Sequence, residues 1–505
     1  MSKQASNNEQ GLTRIATGIP GLDEILHGGF YQGAVYILRG TPGAGKTILA
    51  NQMCFHHASH GGRALFVTLL AENHARMLQH LEQLSFFDRQ AIPKQIYYIS
   101  AFRVLEENGL KGMMDLLRRE MRAHEATLLI LDGLIAVEET SASDREFRKF
   151  IHELQAHAVT ADCCTLLLTT GSRGEYHPEH TMVDGLIALE DSAYGKRRQR
   201  ELEVRKFRGS ASLRGRHPFR ITDKGLEVYP RPESRFHRNN GHDYEKKISW
   251  GIPQLDEMFG GGIVAATSTV VLGASGTGKT TLGTAFLAQS SKAEPGLHFG
   301  FYESPERLIS NATELGFDLK SRVAAGHLEV VWTPPVERIL DRVGNELIDA
   351  VMRRKVKRLF LDGWGALIAL AETPDRLPSF VAAIFNELRA LGVTTLCAVE
   401  TDNLVGPEVR VPTAGMSAIT ENMVLLRFVE YRARLHRMIS IMKVRGSSFD
   451  PALREFAISD CGIELAKNFE SAEQILSGFG KDKPAKSAGG KGKGPRRTSK
   501  RQTRG

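Results

Sequence analysis

The chain has 505 residues, 42% of them hydrophobic and 25% charged, an ordinary globular balance spread over more length than one core fills. This excludes a fully disordered chain, a collagen and a coiled coil, and no run approaches the ~18–20 apolar residues of a membrane-spanning helix. The net charge of +8 sits in the last segment, where residues 481–505 hold ten lysines and arginines against one acid, Asp482; the near-neutral remainder disfavours a nucleic-acid-binding body, though not a basic appendage.

Residues 1–14 are polar and show no secretory signal. The five cysteines, Cys54, Cys163, Cys164, Cys397 and Cys461, are odd in number and lack zinc-ligand spacing. These features point to a reduced, cytoplasmic protein with no membrane contact. Cys163 and Cys164 fall in an apolar run and read as packing residues.

Along the chain, short β-rich runs alternate with amphipathic stretches. The first part predicts a strand at Val35–Arg39, a helix at Ile48–His57, a strand at Ala64–Thr68 and helices at His74–Leu84 and Leu110–Ala123. Strands at Thr127–Asp132 and Thr165–Thr170 follow. Residues 231–247 have linker composition, rich in Pro, Arg, Asn and His. The second part predicts strands at Thr269–Leu272, Leu297–Phe301, Arg358–Asp362 and Thr394–Val399. Residues 480–505 alternate Gly, Lys, Arg, Ser and Pro and are expected to form a disordered basic tail. Strand–helix alternation implies an α/β fold, a mainly parallel sheet flanked by helices, in each of two domains, 12–230 and 248–479.

The two parts repeat one another. Gly18-Ile19-Pro20-Gly21-Leu22-Asp23-Glu24 matches Gly251-Ile252-Pro253-Gln254-Leu255-Asp256-Glu257 at an offset of 233 residues. Gly40-Thr41-Pro42-Gly43-Ala44-Gly45-Lys46-Thr47 matches Gly273-Ala274-Ser275-Gly276-Thr277-Gly278-Lys279-Thr280 at the same offset. Leu-Asp-Gly recurs around Asp132 and Asp362, and Lys206-Phe207-Arg208 recurs as Lys443-Val444-Arg445. Four features in one order indicate a tandem duplication.

Each Gly-x-x-x-x-Gly-Lys-Thr follows an apolar strand and opens a helix, the context of a phosphate-binding loop. Its glycines let backbone N–H groups face phosphates. Lys46 and Lys279 would reach the β- and γ-phosphates of ATP. Thr47 and Thr280 would offer hydroxyls to Mg²⁺, with Ile48 and Thr281 closing the loops. Asp132 and Asp362 each end an apolar strand, where an acid can orient Mg²⁺.

Together these residues resemble the KaiC family of RecA-like ATPases over about residues 12–479. The resemblance also rests on Phe301-Tyr302-Glu303-Ser304-Pro305-Glu306-Arg307-Leu308 and on Ser417-Ala418-Ile419-Thr420-Glu421. It implies two tandem RecA-like domains, a hexameric homo-oligomer with ATP at subunit interfaces, and an unidentified signalling partner. Lys206, Phe207 and Arg208, with Lys443, Val444 and Arg445, would then be trans-acting interface segments. Lys and Arg two apart on a strand share one face, and such cations stabilise charge in phosphoryl transfer.

The family places two adjacent glutamates after the second strand, the first serving as general base. Here Tyr302 takes that first place and Glu303 the second. A phenol with a pKa of about 10 is a poor base at neutral pH. In the first domain the alignment gives Glu72 and then Asn73, with a two-residue insertion around Leu69-Leu70. The first domain is therefore expected to keep its base and the second to have lost it. Adjacent Ser and Thr are autophosphorylated in the family's clock members; here the pair reads Ser417-Ala418, leaving one candidate acceptor. The expected function is a Mg²⁺-dependent ATP-hydrolysing signalling or timing switch with residual serine autokinase activity. Two alternatives stay open: a DNA-dependent RecA or helicase-type motor, and a non-hydrolysing nucleotide-gated scaffold. The tail could contact nucleic acid, but it lacks interleaved aromatics, and a solvated extension is favoured.

Overall fold

The computed structural model describes residues 13–69, 74–170, 182–235, 245–336, 338–401, 416–431 and 434–466. The basic tail expected at 480–505 lies outside them.

The first half builds a nine-stranded sheet. Its spatial order is Gly225–Val228, Arg216–Thr222, Arg197–Phe207, Gly185–Tyr194, Val35–Gly40, Cys164–Thr169, Leu128–Asp132, Ala64–Thr68, Ile96–Ser100. The six strands from Gly185–Tyr194 to Ile96–Ser100 are parallel, and the three at the other edge are antiparallel. The second half repeats this order: Gly462–Leu465, Arg454–Ser459, Arg434–Val444, Asn422–Tyr431, Ser268–Gly273, Thr394–Glu400, Arg358–Asp362, Gly296–Gly300, Leu328–Trp332. In both sheets the strand entering the phosphate-loop sequence is central.

Side chains two apart on a strand share a face, and the central strands are apolar on both. Tyr36 and Leu38 pack with Phe66, Ile130 and Leu166 under the helix Lys46–Ser59. Val35 and Ile37 pack with Leu65, Val67, Leu129 and Leu131 on the other face, against the helices Phe102–Ala123 and Asp144–Thr160. Fully burying one such side chain contributes roughly 1.5–3 kcal/mol. Cys163 and Cys164 are buried in these two layers, as packing residues would be. Among the described residues no helix is long and apolar enough to cross a membrane.

The expected helix at Leu110–Ala123 is the second piece of Phe102–Ala123; Gly109, at φ 63°, breaks the backbone just before it. The antiparallel hairpin of each half was not anticipated. Its strand Arg197–Phe207 reads Arg-Arg-Gln-Arg-Glu-Leu-Glu-Val-Arg-Lys-Phe, too polar to stand out by hydropathy.

Part of the linker is built into the fold. Residues Pro232–Ser234 form a 3₁₀ turn. Glu233 in that turn accepts two hydrogen bonds from Arg376, at 2.8 and 3.1 Å. Arg376 also pairs with the fully buried Asp341 at 2.8 Å and with Glu372 at 3.0 Å. Arg235 returns to the first half through both carboxylate oxygens of Glu24, at 2.5 and 2.8 Å.

Candidate functional site

Both phosphate loops sit at the carboxyl ends of central parallel strands, where open α/β sheets place ligands. Gly45 and Gly278 cap the helices Lys46–Ser59 and Lys279–Ala288 with φ of 101° and 105°. L side chains resist that conformation. A Cβ on Gly45 would also meet Ile221 Cδ1 at 2.8 Å.

The two loops hold their side chains alike. Lys46 Nζ donates to the carbonyls of Gly40 and Thr41 at 2.7 and 3.1 Å, and Lys279 Nζ to those of Gly273 and Ala274 at 2.8 Å each. Burial lowers both lysine pKa values, opposed by Asp132 at Lys46, and by Glu400 and Asp362 at Lys279. Thr47 Oγ1 donates to Asp132 Oδ2 at 2.9 Å, and Thr280 Oγ1 to Asp362 Oδ2 at 2.8 Å. A hydroxyl and a carboxylate converging without nitrogen or sulfur are a donor set that fits Mg²⁺. Burial raises the Asp362 pKa; the Thr280 hydrogen bond and Lys279 oppose this, while Glu303 and Glu400 add to it.

A cavity of about 450 Å³ opens over the second loop, lined by residues including Lys279, Thr280, Tyr302, Asp362, Glu400 and Arg437. Tyr302 is 67% exposed there, with its ring beside Gly363 and its hydroxyl beside Gly365. Glu303 turns to its own helix, accepting from Asn311 Nδ2 at 2.6 Å and pairing with Arg307 at 3.7 Å. Glu72, and Leu70 of the insertion expected around Leu69-Leu70, lie outside the described residues. Nearby, Thr68 Oγ1 bonds His74 Nε2 at 2.7 Å.

The paired cations lie away from their own loops. Parallel register sets Ile37 beside Leu186 and Val270 beside Met423, while Lys206 faces Leu186 and Lys443 faces Met423. Lys206 and Lys443 are thus level with positions three residues before Gly40 and Gly273, roughly 10 Å of strand away. Lys443 Nζ donates to the carbonyls of Ser417 and Thr420, the latter at 2.8 Å, and Arg445 to that of Ala418 at 3.3 Å. Arg208 donates to Met182 O at 3.5 Å. Phe207 stacks on Tyr36 with ring centres 5.4 Å apart, and Val444 packs on its own core. Ser417 is exposed, at the same end as Lys443 and Arg445.

The family model for the KaiC ATPase matches residues 15–233 and 248–470. This chain belongs to the KaiC ATPase family. Similar relatives are the circadian clock oscillator protein KaiC of Picosynechococcus sp., 28% identical across 95% of both chains, and that of Synechococcus elongatus, 27% identical across 95% of this chain and 94% of the relative. The circadian clock oscillator protein KaiC 1 of Synechocystis sp. is 29% identical across 93% and 92%. The match spans both halves, and each matched stretch contains one of the duplicated Lys-Thr-Asp arrangements. Sequence reasoning missed two groups at the second KaiC-type site. Glu400 carried a usable signal, since it ends the apolar run Thr394–Val399 as Asp362 ends its own strand. Arg437, on the antiparallel hairpin, carried none.

Proposed function

We propose that the chain is a Mg²⁺-dependent ATPase acting as a nucleotide-driven switch, with ATP held between copies of the chain in a hexameric ring. The observation that carries this reading is one arrangement built twice: Lys46, Thr47 and Asp132, then Lys279, Thr280 and Asp362. The lysines would hold the β- and γ-phosphates, and each threonine–carboxylate pair would hold Mg²⁺, which draws charge from the transferring phosphoryl group when bound. The position of Lys206, Arg208, Lys443 and Arg445 at the far ends of the sheets supports their acting on a neighbour's nucleotide.

Glu72 is the group we assign to orient water at the first site; the second site has Tyr302 at that position, and the first site carries most turnover. Ser417 is the acceptor left for autophosphorylation, and its place beside Lys443 supports transfer from a neighbour's ATP. The relatives are named as oscillator proteins; a timing role here would have to work with one hydroxyl where the clock members have two. A reduced, cytoplasmic setting is supported by unpaired cysteines, four of the five buried.

Phosphate release and nucleotide binding test this together. Removing a group that handles the attacking water costs about 10²–10⁴-fold. Glu72→Gln is therefore expected to lose most turnover and keep ATP binding. No phosphate release from the unaltered chain with Mg-ATP would end the ATPase reading; full turnover in Glu72→Gln would end the assignment of Glu72.

A further inference from the structure

We propose that Glu400 is the catalytic carboxylate of the second nucleotide site, taking over the role that Tyr302 cannot fill. This rests on the reading of that site as an ATP site.

Glu400 is the last residue of Thr394–Glu400, the strand between the phosphate-loop strand and the strand that ends in Asp362. Its register partner is Gly273, the first glycine of the loop, and the next amide, of Thr401, donates to Gly273 O at 3.2 Å. The backbone thus ties Glu400 to the rim of the loop that would hold the phosphates. Its side chain is exposed and lines the cavity shared with Lys279, Thr280, Asp362 and Tyr302. Its charge is felt at both Lys279 and Asp362.

The rival acid, Glu303, also acts on Asp362, but it has partners of its own and does not line the cavity over the loop. Glu303 is held by Asn311 and Arg307 on the helix that follows it. Glu400 takes part in no ion pair among the described residues. The first half has no acid at the equivalent place: Gly40 follows Arg39, whose partner is Thr169, and the next residue is Thr170. The carboxylate at 400 therefore accompanies the phenol at 302 in the same half, and the first half keeps Glu72 with a threonine.

In the step assigned to Glu400, its carboxylate takes a proton from water as the water oxygen bonds to the γ-phosphorus. The bond from that phosphorus to the β–γ bridging oxygen breaks, and its electron pair stays on the ADP oxygen. A base placed to do this contributes about 10²–10⁴-fold.

The experiment uses the full chain carrying Lys46→Ala, so that the first site binds poorly and the second is read alone. Phosphate release, the KM for ATP, and the nucleotide recovered from the protein after incubation with Mg-ATP are measured with and without Glu400→Gln. The expected result is a fall in kcat of at least a hundredfold, with KM unchanged or lower because a negative charge beside Lys279 is gone. The recovered nucleotide should shift from ADP to ATP, and Glu400→Asp should restore part of the rate. The loss should exceed that of Glu303→Gln at least tenfold. Unchanged kcat in Glu400→Gln, or a larger loss in Glu303→Gln, overturns the proposal, as does a Lys46→Ala chain that binds ATP without hydrolysing it. Failure of the underlying reading looks different: the Lys46→Ala chain would then bind no Mg-ATP at all.

Discussion

His298 shows how one buried residue can set the response of a whole half to acid. It is 1% exposed, neither ring nitrogen has a hydrogen-bond partner, and burial pushes its pKa down to about 4. In the unfolded chain it titrates near 6.5. The unfolded state therefore takes up the proton first, and stability is lost as pH falls from about 6.5 toward 4. At pH 5 the loss from this residue is about 2 kcal/mol. The position 233 residues earlier is Leu65, buried in the matching strand. His298→Leu is thus expected to leave stability at pH 7.5 nearly unchanged and to flatten its fall to pH 5, read from denaturant midpoints at the two pH values. An equal fall in both proteins would show that His298 is not the acid-sensitive group. The phosphate loops, by contrast, were legible residue by residue because their chemistry allows little substitution. Glu400 showed in the sequence only as a carboxylate ending an apolar run; its place beside Gly273 comes from the sheet register.

At the scale of elements, the 3₁₀ turn Pro232–Ser234 depends on a charge cluster. Arg376 serves three carboxylates, Glu233, Asp341 and Glu372. Removing one partner of a buried pair leaves uncompensated charge and costs about 3–5 kcal/mol. Arg376→Ala is expected to lose that much in thermal or denaturant unfolding. Arg376→Lys should recover only part, since a single ammonium cannot reproduce the two-pronged contacts with Glu233 and Asp341. A loss below 1 kcal/mol for Arg376→Ala would mean that the cluster is not holding the turn. Sequence composition marked this stretch as a linker without showing that Glu233 is seated on the second half, because the anchoring arginine lies 143 residues away. The apolar strands were readable since both their faces are buried. The hairpins were not, since their outer positions carry charge and only their register reveals which end of the sheet Lys206 and Lys443 occupy.

At the scale of the whole molecule, each half places a phosphate loop at one end of its sheet and a Lys–Arg pair at the other. If each site needs both, assembly and nucleotide binding are linked, because a ligand that binds only the assembled form stabilises it by mass action. Sedimentation at micromolar protein is expected to show a larger species in saturating Mg-ATP than without nucleotide. Replacing Lys443 and Arg445 together by Ala should shift that equilibrium toward smaller species. A monomer in saturating Mg-ATP would rule out the shared-site reading.

If the Lys–Arg pairs act on a neighbour's nucleotide, the separation of loop and cations also gives each subunit a giving end and a receiving end. Contacts of that kind are heterologous, and they close into a ring only when the rotation between neighbours divides a full circle. Such a ring has a sense of travel, like a queue in which each member holds the shoulder of the one ahead. A lesion at Arg445 would silence the seat next door and spare the chain that carries it, whereas a lesion at Lys279 would silence its own. Damage would then be inherited by position in the circle as well as by sequence, and two chains with different faults could cover for one another where they meet in the right order.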